Sequence, residues 1–111
     1  MIVTLPFPPS VNSMFINVPG RGRAQSKDYK AWKIAAAWEL KAQKAKPVTE
    51  PAEIRIDLDD KRRGDADNRT KAVLDLLVAQ GILRGDSKKF VKRVSTGWEA
   101  VDGCRVSIIT Q

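Results

Sequence analysis

Histidine is absent from this 111-residue chain, and cysteine occurs once. Without histidine, neither a Ser-His-Asp nor a Cys-His nucleophilic system can be assembled, and no His-ligated zinc site can form. Any chemistry therefore falls to carboxylates, lysines or hydroxyls. The lone Cys104 excludes an intramolecular disulfide and fits a reducing compartment. It alternates with apolar neighbours in a strand-like run, which makes it a small core residue rather than a nucleophile. No apolar run approaches the ~20 residues that a membrane span requires. The N-terminus shows no charged stretch followed by a long apolar one. A cytoplasmic protein with no membrane partner is expected. Repeats and low-complexity tracts are missing as well.

Positive charge is what the chain has in excess: 20 Lys+Arg against 13 Asp+Glu, a formal net charge of +7. Such an excess favours a polyanionic partner, because each phosphate contact releases condensed counterions. A basic surface that merely aids solubility explains the charge equally well. The length fits one domain spanning residues 1–111. A domain near this size buries roughly two thirds of the surface its unfolded chain exposes. The core is thin, and a dimer would cover more apolar surface.

Residues 1–7 read as a short strand with Ile2, Val3 and Leu5 as its apolar positions, ended by Pro6, Pro8 and Pro9. Pro19-Gly20-Arg21-Gly22-Arg23 reads as a flexible basic loop whose glycines let Arg21 and Arg23 come close to phosphate. A helix is expected over residues 26–44, with Tyr29, Trp32, Ala36 and Leu40 on its core face. Ile34 and Trp38 occupy another face, which suggests that a second surface, such as a partner subunit, packs there. Residues 53–59 alternate strictly, Ile54, Ile56 and Leu58 opposing Glu53, Arg55 and Asp57, as in a half-buried strand. A second helix is expected from about Asn68 to Gln80, burying Ala72, Val73, Leu76 and Leu77. Gly81 supplies a left-handed cap, and Ile82 folds back onto the helix end. Residues 90–98 and 104–109 alternate as two strands, with Asp102-Gly103 as turn chemistry between them. The predicted order is β-α-β-α-β-β: a single α+β domain whose mixed sheet packs against helices.

The segment richest in chemistry runs Lys61-Arg62-Arg63-Gly64-Asp65-Ala66-Asp67-Asn68-Arg69-Thr70-Lys71. Two carboxylates one residue apart, between a strand and a helix, can converge on one hard cation. Magnesium suits them, since it takes few carboxylates and completes its shell with water and phosphate oxygens. The flanking cations would hold that phosphate. An ordinary reading competes: Asp67 as an N-cap, Asp65 facing the helix dipole, and Lys71 as a surface ion pair. On spacing alone the ordinary reading ranks ahead, because Asp-x-Asp is common. A calcium loop is excluded, for Thr70 and Leu76 stand where an EF-hand counted from Asp65 needs glycine and glutamate.

Resemblance changes that ranking. Leu5-Pro6-Phe7-Pro8-Pro9-Ser10-Val11-Asn12 resembles the L-P-x-P-P-S-x-N opening of the RusA family of Holliday junction resolvases. Arg62-Arg63-Gly64-Asp65-Ala66-Asp67-Asn68, followed by Lys71-Ala72 and Asp75 to Leu77, is similar to the family's central motif. Gly81-Ile82-Leu83-Arg84-Gly85-Asp86 is similar to its later acidic segment, with Gly85 at the first acidic position and Asp86 at the second. Each match is weak alone; in this order, across nearly the whole chain, they are specific. The resemblance implies metal binding by Asp65, Asp67 and Asp86, with Lys71 as a further catalytic residue. It also implies Mg2+ as cofactor (Mn2+ as a substitute), a homodimer, and four-way DNA junctions as substrate.

The remaining charges are read around that site. Asp57, Asp59 and Asp60 read as strand-end solvation, Asp59 also as an outer support. Asp75 is placed to hold Lys71. Arg62, Arg63, Arg69, Lys88, Lys89 and Lys92 are candidate DNA contacts, together with Arg21 and Arg23. The expected activity is structure-selective phosphodiester hydrolysis, leaving 5′-phosphate and 3′-hydroxyl ends. Two other classes fit the composition: a branched-DNA-binding module that does not cut, and a structural partner in an assembly.

Overall fold

The computed structural model describes residues 1–110. Its elements are β1 (Ile2–Leu5), α1 (Val11–Met14), β2 (Phe15–Val18), β3 (Gly22–Gln25), α2 (Lys27–Ala42), β4 (Ala52–Asp59), a 3-10 turn (Asp67–Arg69), α3 (Thr70–Ala79), β5 (Val91–Glu99) and β6 (Cys104–Thr110). The expected β-α-β-α-β-β order is the frame of a mixed sheet packed against helices. Its strands lie in the order β1-β6-β4-β5, with β4 parallel to β5 and antiparallel to β6. A parallel pair cannot be closed by a tight turn, so α3 makes the crossover between β4 and β5.

The core follows from two periodicities. Ile54, Ile56 and Leu58 recur at every second position of β4 and are completely buried. Tyr29, Trp32, Ala36 and Leu40 recur at helical spacing on α2, as do Ala72, Val73, Leu76 and Leu77 on α3, and all eight are buried. Ser26 caps α2 by accepting from the Tyr29 amide at 3.1 Å, while its hydroxyl donates to the Ser13 carbonyl at 2.6 Å. At the end of α3, Gly81 adopts φ +75°. The Gly81 amide donates to the Val78 carbonyl at 3.0 Å and the Ile82 amide to Leu77 at 2.9 Å, the paired bonds of a Schellman cap. No described helix is long and apolar enough to cross a membrane.

Several local expectations need correction. The basic segment 19–23 is not a free loop: it turns a two-stranded β2–β3 hairpin, and Gly22 and Arg23 already pair with Val18 and Asn17. These four-residue strands are half exposed and lack strict alternation, so their pattern is faint. The second helix starts at Thr70, two residues later than expected, because Asp67–Arg69 forms the tighter turn. β5 and β6 are not neighbours, since β4 runs between them. Their connection wraps the end of β4, with the Asp59 amide donating to the Gly103 carbonyl at 3.0 Å and the Asp60 amide to Glu99 at 3.0 Å. The Asp59 carboxylate accepts from the Lys61 amide at 3.0 Å and the Gly103 amide at 3.4 Å, so it anchors this crossing. Gly103 is required there: its φ is +65°, and a Cβ would lie 2.6 Å from the Leu5 carbonyl oxygen.

Asp57 is likewise no solvated strand end, being only 3 % exposed. It accepts from Arg55 Nε at 3.1 Å and from Arg105 Nε and Nη2 at 3.1 and 3.0 Å. Cys104 is fully buried, as expected of a core residue. Burial pushes its thiol up to about 12 from 9.0, with the Asp57 charge adding to the rise. Deprotonation is thus harder in the folded chain than in the unfolded one. The stability that this difference contributes is complete below about pH 9 and is lost as pH rises through 12. Cys104→Ala should flatten the alkaline decline by about 1.4 kcal/mol per pH unit within that window, read from urea melts at stepped pH.

Candidate active site

Asp65 and Asp67 lie in the segment that leaves β4 and enters α3, and both are exposed. Three contacts pin this segment. Arg69 Nη1 donates to the Pro8 carbonyl at 2.9 Å, and Nη2 donates to the Arg63 carbonyl at 3.3 Å. At the helix start, the Thr70 and Thr96 hydroxyls bond across to β5 at 2.7 Å. Phe7 stacks on Trp98 with ring centroids 6.2 Å apart, and carries Arg62 and Arg69 at 4.8 and 4.9 Å from its own centroid. The proline-rich opening and the acidic segment, sixty residues apart in sequence, thus form one surface.

Arg69 is therefore turned inward rather than held out as the phosphate contact expected of it. Burial lowers its pKa from the ordinary guanidinium value, the neighbouring Arg62 charge lowers it further, and Asp65 partly restores it. Lys71 is exposed on the first turn of α3, and its ammonium pairs with the Asp75 carboxylate at 3.1 Å, as the one-turn spacing predicts. Arg62 and Arg63 are exposed beside the acidic pair, and Arg21 and Arg23 are exposed on the hairpin, Arg23 lying 4.3 Å over the Phe15 ring.

Asp86 is also exposed, but at the other end of α3. The segment that carries it is tied to the entry of β4: the Ile82 carbonyl accepts from the Val48 amide at 2.8 Å and the Phe90 carbonyl from the Ala52 amide at 2.9 Å. Asp65 and Asp67 follow the exit of β4. A helix of the length of α3 spans about 15 Å. The expected convergence of all three carboxylates is accordingly not seen within one chain: among the described residues no three Asp, Glu, Cys or His side chains are gathered to hold a metal ion. Asp65 and Asp67 still fit magnesium in kind, because that ion takes one or two carboxylates plus water and phosphate oxygens. Lys88, Lys89 and Lys92 are exposed near Asp86, away from the acidic pair.

The family described as endodeoxyribonuclease RusA matches residues 6–109, nearly the entire chain. The chain belongs to the RusA family. RusA membership implies an endonuclease that resolves Holliday junctions. No curated protein matches the sequence. Within this RusA chain, sequence reasoning missed the Phe7–Trp98 stack and the inward course of Arg69. Only Gly64 hinted at the second, because a glycine directly before an acidic pair marks backbone that other residues avoid.

Proposed function

We propose that this protein is a homodimeric, magnesium-dependent endonuclease that resolves four-way DNA junctions by paired cuts in the cytoplasm. The observation that carries the reading is the pinned acidic turn, two exposed carboxylates flanked by arginines, in a chain of a resolvase family. Asp65 and Asp67 would hold the ion. When bound, magnesium supplies a Lewis acid toward a phosphate oxygen and lowers the pKa of water. Arg62 and Arg63 hold the backbone phosphates on either side of the scissile one. Lys71, steadied by Asp75, offers its ammonium to charge that grows in the transition state, which lowers the barrier rather than only tightening binding.

Asp86 enters from the second subunit in this reading, since α3 keeps it from the pair of its own chain. The dimer then completes each site. A four-way junction has near two-fold symmetry, so a symmetric dimer can cut opposed strands. Recognition rests on junction shape and phosphate placement, with base contacts adjusting only the cleavage preference. Incubation with a synthetic junction and a linear duplex, in magnesium and in a chelator, tests the reading. Paired nicks are expected with junction plus magnesium alone. A junction that is bound but stays intact in magnesium would point instead to a grip without cutting.

A further inference from the structure

We infer that Arg69 is a positioning residue, one that fixes how Asp65 and Asp67 face a divalent cation and takes no part in gripping DNA. The inference rests on the proposed role of those two carboxylates as cation ligands. Three observations carry it. First, the guanidinium is committed: it donates to the Pro8 carbonyl at 2.9 Å and to the Arg63 carbonyl at 3.3 Å, and its Cζ lies over the Phe7 ring, 4.9 Å from the centroid. Pro8 is itself completely buried, so the anchor point is rigid. Second, the Arg63 carbonyl lies two residues before Asp65, and Arg69 lies two residues after Asp67. One side chain thus holds both ends of the acidic segment and turns it into a closed loop. Third, the loop closes tightly on that side chain. Gly64 has φ +130°, and a Cβ there would lie 2.6 Å from Arg69 Nη2 and 3.3 Å from Nε.

The electrostatics argue that this placement serves something beyond charge. Arg69 is tucked beside Arg62 on the same aromatic ring, and its buried Nε has no hydrogen-bond partner among the described residues. An arginine meant for phosphate would gain by pointing outward, as the exposed Arg63 is free to do. Held inward, it gives planar, two-point recognition of two carbonyls, which lysine cannot reproduce with a point charge. Groups that orient a metal ligand commonly change metal affinity by roughly 10–100-fold when removed.

The test uses Arg69→Gln and Arg69→Lys in the full chain, with Mn2+ alone as the probe, free ion being counted by electron paramagnetic resonance. Junction retention in chelator is measured in parallel. Both variants should weaken Mn2+ binding by roughly tenfold or more while retaining junction affinity within about twofold, since a charge-conserving lysine does not rescue a geometric role. Gly64→Ala, which keeps the guanidinium but displaces it, should repeat the effect and covers the case in which Arg69→Gln folds poorly. Unchanged Mn2+ affinity in Arg69→Lys and Gly64→Ala overturns the inference. So does a loss of junction binding that lysine restores, which would make Arg69 a phosphate contact. If the parent protein binds no Mn2+, or binds it equally as Asp67→Asn, the ligand reading itself has failed; if the parent binds and only the Arg69 variants match it, the positioning role alone has failed.

Discussion

Asp67→Asn is expected to lower junction cleavage by at least roughly a thousandfold, about 4 kcal/mol of transition-state stabilisation, while junction binding in chelator stays as tight as in the parent. The substitution keeps the side-chain volume and removes one charge. Asp67 is exposed and, among the described residues, takes no ion pair or side-chain hydrogen bond, so the fold has little to lose. The turn that carries it is held by Arg69 and by the Thr70–Thr96 bond, neither of which involves the carboxylate. Removing an acidic group from a chain of net charge +7 cannot weaken attraction for phosphate. Gel-shift in chelator and nicking in magnesium, made on the same preparation, separate the two effects. Cleavage that persists would remove Asp67 from the catalytic set. Joint loss of binding and cleavage would mean that the carboxylate shapes the turn instead of holding an ion.

The parts of this fold that were legible in the sequence are those decided by neighbours a few residues apart. The stripes Tyr29-Trp32-Ala36-Leu40 and Ala72-Val73-Leu76-Leu77 announce helices because a 3.6-residue period can bury only one face. Gly81 announces the end of α3 because a left-handed residue must follow the last turn. The alternation of Ile54, Ile56 and Leu58 announces a strand, but not that this strand becomes the centre of the sheet. Strand order is a contest between distant segments. β4 won the middle because its alternate positions are wholly apolar, whereas β5 presents Lys92, Arg93 and Ser95 to solvent and suits an edge. Asp57 and Asp59 misled for the same reason: their partners Arg105 and Gly103 are more than forty residues away and become neighbours only when β6 docks beside β4. The β2–β3 hairpin was hidden by strands too short and too exposed to show a period. Around the site, the acidic pair was visible through its motif, and so was the Lys71–Asp75 pair through its spacing. Arg69 was not, because a sequence shows that an arginine is basic and does not show which way it points. The separation of Asp86 from Asp65 and Asp67 was hidden too: about twenty residues can fold back to their start or run along a helix to the far end of a strand.

That separation makes mixed dimers the sharpest test of how the site is built. Asp67→Asn and Asp86→Asn homodimers are each expected to be inactive, because every site in either dimer lacks one carboxylate. If both carboxylates of a site came from one chain, any mixture would stay inactive, since each chain carries one defect. If Asp86 acts on the partner's pair, the outcome differs. In a dimer of one Asp67→Asn chain and one Asp86→Asn chain, one site collects both defects and the other collects none. The intact site should cut, and it should cut alone, giving single nicks in place of paired ones. Random exchange leaves about half of the dimers mixed, each with one working site, so nicking should return to about a quarter of the parent's site number. A chain carrying both substitutions, mixed with parent chain, spoils both sites of every mixed dimer and should act as an inhibitor. Activity from the first mixture and inhibition from the second would establish a shared site, because no arrangement within one chain yields both. A silent first mixture, in dimers shown by tagged co-purification to have exchanged, would return Asp86 to its own chain and require the segment between α3 and β5 to fold back toward the acidic turn when DNA binds.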